Sequence, residues 1–125
     1  MALHQTLGAA GEQFVCEYLI KQGFIVRETN WRMGHLEVDI IAERNGTFHF
    51  VEVKTRAARG AFDPRRSVNR KKQENLINAS RSYCRMCGRM DVDVQYDVAL
   101  IFGTPGHFEM EYMPRYFRMP PRRFR

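Results

Sequence analysis

The chain reads as a mixed α/β domain in the order helix, three strands, helix, two strands. Three observations predict this. Apolar residues recur at helical period in two separate stretches, β-rich or alternating segments fill the intervals, and Asn45-Gly46 stands between two of those segments. An Asn-Gly pair between alternating segments is the strongest short hairpin signal, because both turn residues must take positive φ. The length agrees, since 125 residues make one domain.

Residues Thr6 to Gln22 form the first predicted helix, with Leu7, Phe14, Tyr18 and Leu19 near helical spacing and Gly23 as the stop. Phe24 to Asn30 is rich in β-formers. Leu36 to Arg44 alternates, placing Leu36, Val38, Ile40 and Ala42 on one side and Glu37, Asp39 and Ile41 on the other. Thr47 to Thr55 is the return strand of the hairpin. Gly60 to Arg66 is a loop carrying Asp63-Pro64. Ser67 is placed as the cap of a second helix, with Val68, Leu76, Ile77, Ala79 and Tyr83 facing inward and Gly88 near its end. Asp91 to Phe102 is a strand, Gly103 to Gly106 a turn, and His107 to Met113 the last strand. The domain is expected over 1–113, followed by a basic tail, 114–125, without periodicity.

Composition narrows the function classes. Apolar residues make up 44% and charged residues 27%, ordinary globular values. No apolar run approaches the roughly 20 residues of a membrane span. Met-Ala-Leu-His-Gln at the start lacks the basic-then-apolar pattern of a secretory signal. Three cysteines, an odd number, argue against a disulfide scaffold and for a reducing cytoplasm. Twenty Lys and Arg against fourteen Asp and Glu leave a formal charge of +6. Such a balance favours a polyanionic partner or serves solubility. Its placement favours the partner: Lys54, Arg56, Arg59, Arg65, Arg66, Arg70, Lys71 and Lys72 are opposed only by Asp63. The tail adds Arg115, Arg118, Arg122, Arg123 and Arg125 with no acid.

The hairpin concentrates chemistry. If Arg44 faces Thr47, Asp39 falls opposite Glu52, and Glu37 opposite Lys54, all on one face. Opposed Cβ atoms lie ~4.5–5.5 Å apart, and two carboxylates at that distance repel. A divalent cation with oxygen ligands relieves the repulsion, and Mg²⁺ typically takes one or two protein carboxylates. A solvated hairpin of alternating charge is the bland alternative. Against it, Glu52 and Lys54 interrupt a buried-looking run, Val38, Ile40 and Ile41 surround the acids, and Lys54 leads into the basic stretch. Glu37 is read as a salt-bridge partner of Lys54.

These residues carry a family resemblance. Asp39 followed by Glu52-Val53-Lys54 resembles the Asp…Glu-x-Lys signature of the PD-(D/E)xK nucleases, which share the restriction-endonuclease-like fold. Gly8-Ala-Ala-Gly11-Glu12, Asn30-Trp-Arg32, Glu37-Val-Asp39-Ile-Ile, Phe50-Val-Glu52-Val-Lys54-Thr-Arg56 and Val68…Lys72-Gln73 together resemble the YraN-like bacterial family. The resemblance implies a mixed central sheet flanked by helices. It implies Asp39, Glu52 and Glu12 as metal-binding acids and Lys54 as the catalytic lysine. Gln73 matches a helical Gln that touches the site in related nucleases. Val38 stands where many such enzymes have Pro, and Leu36 where many relatives have Gly.

The expected activity is Mg²⁺- or Mn²⁺-dependent hydrolysis of nucleic acid, DNA before RNA. Arg56, Arg66, Arg70 and Lys72 would hold the backbone without reading sequence. Resolvase-like relatives often work as dimers, and that analogy extends to this chain. One alternative is a catalytically silent DNA- or RNA-binding module on the same fold. Another is an interaction protein whose arginine tail docks on an acidic partner. Cys84-Arg-Met-Cys87 has CxxC spacing but ends a helix, and Cys16, His4, His35, His49 and His107 supply no paired metal spacing. His35 and His49 are read as packing residues on the face away from Asp39. Gly8 and Gly11, costly inside a helix, suggest a close approach of its backbone to the sheet or site.

Overall fold

The computed structural model describes residues 5–60 and 62–119. Its elements are α1 (Leu7–Lys21), β1 (Ile25–Met33), β2 (Leu36–Arg44), β3 (Thr47–Arg56), a short 3₁₀ turn (Pro64–Arg66), α2 (Arg70–Cys87), β4 (Asp93–Phe102) and β5 (Glu109–Phe117). The strands form one sheet in chain order, β1-β2-β3-β4-β5. Only β3 and β4 run parallel. A parallel pair needs a crossover, and α2 supplies it. No helix among the described residues is long and apolar enough to cross a membrane.

Each helix covers its own face. On the α1 side, Val15 and Leu19 pack with Phe24, Ile40, Ala42, Val51, Ala99 and Ile101. On the α2 side, Leu76, Ala79 and Tyr83 pack with Val38, Ile41, Phe48, Phe50, Tyr96, Val98 and Leu100. Strands β3 and β4 are therefore buried on both faces, as parallel strands generally are.

Several boundaries differ from the sequence expectation. Ser67 does not cap α2. Its hydroxyl donates to the Pro64 carbonyl at 2.6 Å, because Asp63-Pro64 starts a 3₁₀ turn there. Asn69 is the cap, accepting from the Lys72 N–H at 2.8 Å. Gly88 ends α2 at φ 65°, the left-handed conformation glycine favours. β1 continues through Trp31 to Met33. β5, expected to stop at Met113, runs to Phe117, with Tyr96 stacked on Phe117 at 4.5 Å. Arg122, Arg123 and Arg125 of the expected tail, and His4, lie outside the described residues.

The alternation expected in β2 also breaks. Leu36 and Val38 share the α2 side with Ile41, whereas Ile40 and Ala42 face α1. The two-residue period slips at Asp39. The β2–β3 ladder keeps the expected register from Arg44↔Thr47 to Ile40↔Val51 and stops there. Asp39 and Glu52, and Glu37 and Lys54, are thus not ladder partners. The Asp39 carboxylate instead accepts the Val53 N–H at 2.8 Å, so a side chain takes the place of a strand carbonyl.

Candidate active site

The place where β2 leaves β3 gathers four of the expected residues. Glu52 is 4% exposed. Its Oε1 lies 3.5 Å from Lys54 Nζ and its Oε2 3.5 Å from Lys72 Nζ. No hydrogen bond reaches Oε2, although it is buried. Buried polar atoms without a partner are rare and costly. The neighbouring Asp39 is half-buried and tied to Val53. Burial raises its carboxyl above the usual range, and the Val53 N–H, Lys72 and Lys54 only partly offset this. Burial, followed by the charge of Asp39, pushes Glu52 up to about 7 against the pull of Lys72 and Lys54.

Helix α1 brings Glu12 to the same corner. Gly11 lies against Thr55 of β3, and a Cβ on it would overlap Thr55 Oγ1 and stand 3.0 Å from Thr55 Cβ. Gly11 therefore allows the close approach that its sequence position suggests. Gly8 does not share that reason, because its missing side chain would meet open space. Glu12 is raised by burial and then by the charge of Asp39, with Asn30 opposing the shift. Asn30 sits at φ 50°, a left-handed conformation that Asn tolerates better than most residues. Its neighbour Trp31 packs edge-on to Tyr83 at 5.6 Å. Arg32 pairs with Glu37 at 3.3 Å. The Asn30-Trp-Arg32 segment thus links the acid corner to the α2-side core.

Two expected contacts are rearranged. Glu37 does not pair with Lys54; its partners are Arg32 and, at 3.8 Å, Lys72. The reason is the slip at Asp39, which ends the register that would have set 37 against 54. Lys72, expected among the backbone-holding cations, turns into the acid cluster and lies between Glu52 and Glu37. Gln73 donates to the Val68 carbonyl at 3.1 Å. Arg56, Arg66 and Arg70 are exposed. Arg56 donates to the Thr55 carbonyl at 2.9 Å, and Arg66 lies 3.9 Å from Asp63.

The other candidates sort plainly. His35 is exposed rather than packed. His49 is buried, and its Nδ1 lies 2.8 Å from Asp97 on the α1 side. Cys84 and Cys87 are free, with Cys84 buried and Cys87 3.7 Å from the Arg27 guanidinium.

The donor set suits a hard cation. Two carboxylates come together with one buried oxygen unpartnered, while no group of three or more His, Cys, Asp or Glu side chains forms a ready cage among the described residues. An ion that keeps several waters and uses one or two carboxylates matches this arrangement.

Comparison with known proteins places the chain. The model of the uncharacterised protein family UPF0102 matches residues 11–101. A UPF0102 protein of Bacteroides fragilis is 35% identical over 120 residues, covering 96% of this chain and 98% of the relative. One from Oleidesulfovibrio alaskensis is 39% identical over 98 residues, covering 78% of this chain and 48% of that protein. Among solved structures, the Archaeoglobus fulgidus Holliday junction resolvase Hjc matches with TM-score 0.52 and 22% identity, over 82% of this chain and 72% of its own. That likeness concerns the fold, which is the restriction-endonuclease-like mixed sheet flanked by helices. The motif set that resembles the YraN-like proteins and the match over residues 11–101 agree, and the chain belongs to the UPF0102 family.

Proposed function

We propose that the protein is a divalent-metal-dependent nuclease acting on DNA rather than RNA. One observation carries the reading: two neighbouring carboxyls, buried Glu52 and half-buried Asp39, are both raised in pKa, and one Glu52 oxygen lacks a hydrogen bond, beside two lysines and a basic surface. Cores do not keep such an arrangement for stability, and shifted carboxylates of this kind cluster at functional sites. The resolvase fold of the structural neighbour supports the same chemistry.

Asp39 and Glu52 would hold Mg²⁺ or Mn²⁺, with Glu12 completing the acid set. When bound, the ion supplies an activated water and neutralises charge at the leaving oxygen. Lys54, held at Glu52, orients the attacking water or neutralises the scissile phosphate. Gln73, whose carboxamide now caps Val68, would reach the site only after leaving that bond. Exposed Arg56, Arg66 and Arg70 would hold the sugar-phosphate backbone in place. The reading suits work in the cytoplasm, and a dimer would let two sites address two strands.

The test is a cleavage panel of single-stranded, duplex, flap and four-way DNA with Mg²⁺ or Mn²⁺. Cleavage is expected only with metal. Asp39→Asn and Lys54→Ala should each lower the rate by about 10³-fold while DNA binding is retained. Wild-type rates in both variants would overturn the assignment. DNA binding with neither cleavage nor metal-dependent thermal stabilisation would favour the silent binding module.

A further inference from the structure

We propose that Lys72 is an internal counter-ion. It neutralises Glu52 while no metal is bound and transfers to a nucleic-acid phosphate when a divalent cation takes its place, so metal and nucleic acid bind cooperatively. The inference rests on the reading of Asp39 and Glu52 as metal ligands.

The first support is local. α2 opens with Arg70, Lys71 and Lys72 and has no acid in its first turn. Cations there face the positive end of the helix dipole, where acids are the stabilising choice. Three in a row break that rule, and such local conflicts tend to fall at functional sites. Arg70 and Lys71 are exposed, whereas the Lys72 side chain is 23% exposed and turns inward. The Asn69 cap holds its backbone N–H at 2.8 Å, while its ammonium is held, among the described residues, only by ion pairs with Glu52 and Glu37.

The second support is the geometry at Glu52. The two lysines divide its oxygens, Lys54 at Oε1 and Lys72 at Oε2, each at 3.5 Å. Yet Oε2 has no hydrogen bond. The Lys72 contact is therefore a charge pairing rather than a directed bond, and a small divalent ion can replace it on the same oxygen. The two lysines are not equivalent. Lys54 is carried by β3 two residues from Glu52 and stays with it, while Lys72 belongs to a separate element. Once displaced, Lys72 keeps one ion pair among the described residues, with Glu37 at 3.8 Å, which is already paired with Arg32. The exposed Arg66 and Arg70 mark the side of α2 along which a phosphate backbone would meet it.

Thermodynamic linkage makes this measurable. If Lys72 must leave Glu52 for the metal to bind, an anion that accepts Lys72 tightens metal binding, and the metal tightens anion binding by the same factor. The experiment titrates Mn²⁺ by electron paramagnetic resonance, with and without a cleavage-resistant phosphorothioate 12-mer. Wild type should bind Mn²⁺ about tenfold tighter with the 12-mer. Lys72→Gln should bind Mn²⁺ several-fold tighter than wild type without the 12-mer, and the 12-mer should then change the affinity by less than about twofold. Lys71→Gln, which removes an equal charge from an exposed neighbour, should keep the wild-type coupling. Circular dichroism confirms that each variant is folded. Unchanged or weaker Mn²⁺ binding in folded Lys72→Gln, or the same loss of coupling in Lys71→Gln, overturns the transfer while leaving the metal site standing. Absence of Mn²⁺ binding in every protein overturns the metal site itself, and the transfer with it.

Discussion

Two acidic centres are buried in one sheet, one residue apart across the β3–β4 pair, and they are stabilised in opposite ways. Asp97 lies beside Val51 in the parallel register and is 1% exposed on the α1 side. Its carboxylate accepts from the Tyr112 hydroxyl at 2.6 Å, His49 Nδ1 at 2.8 Å, Gln95 Nε2 at 3.0 Å and the Arg115 N–H at 3.0 Å. Burial alone would raise its pKa, but these four donors together hold it below the usual carboxylate range. Arg115 sits at φ 52° beside the register shift between β4 and β5, so Asp97 also pins an irregular backbone. Glu52, the next residue after Val51, faces α2 with one oxygen unbonded and its pKa raised. Similar burial has opposite electrostatic outcomes. Asp97 has a donor for each oxygen, whereas Glu52 keeps one buried oxygen without a hydrogen bond.

Removing Asp97 gives the largest stability effect. Asp97→Ala leaves His49, Tyr112 and the Arg115 N–H without their acceptor, and should cost about 3–5 kcal/mol in urea unfolding. A loss below about 1 kcal/mol would break the contrast between frame and site. Next comes the contact that seats Glu12. Gly11→Ala drives a methyl into Thr55 and should cost about 1–3 kcal/mol. Gly8→Ala, facing open space, should gain about 0.5 kcal/mol. Thr55→Ala should recover part of the Gly11→Ala loss. Equal effects at the two glycines would mean that α1 does not depend on this close approach.

Sequence patterning disclosed the frame more fully than the site. Asn45 and Gly46 take φ 52° and 77°, the positive values that the hairpin signal requires, and the register follows from them. The proximity of Asp39 to Glu52 was legible from that register, but its mechanism was not. A period-2 reading assumes an unbroken strand, and nothing in Val38-Asp39-Ile40 marks the slip that ends the ladder. Ser67 and Asn69 are both good caps, and the choice depends on a 3₁₀ turn that Asp63-Pro64 starts. The role of Lys72 was hidden for a different reason. Local spacing places it near the start of α2, but which face of the sheet that end meets is a tertiary fact. The Asp97 centre was invisible because its donors come from β3, β4 and β5, between 2 and 48 residues away in the chain.

The pH dependence of Glu52 sharpens the comparison most. The Glu52 carboxyl is raised from 4.5 to about 7, first by burial and then by Asp39, with Lys72 and Lys54 opposing. Asp39 moves in the same direction. Proton binding is therefore stronger in the folded than in the unfolded chain. The stability this contributes is complete below the unfolded value near 4.5 and is lost as the pH rises through about 7. Asp97 has the opposite sign: its contribution is present above the ordinary aspartate value and is lost only as the pH falls through its lowered pKa. Metal-free wild-type protein should accordingly lose stability relative to Glu52→Gln between pH 5 and 8, leaving the variant about 1–2 kcal/mol more stable at pH 8. Millimolar Mn²⁺ should reverse the order, because ligand carboxylates must be ionised and the gain from metal grows with pH. Thermal unfolding of both proteins across that range, with and without Mn²⁺, measures both slopes. Parallel curves for the two proteins would show that Glu52 carries no unmet charge, and the distinction between a saturated and an unsaturated acid would fail.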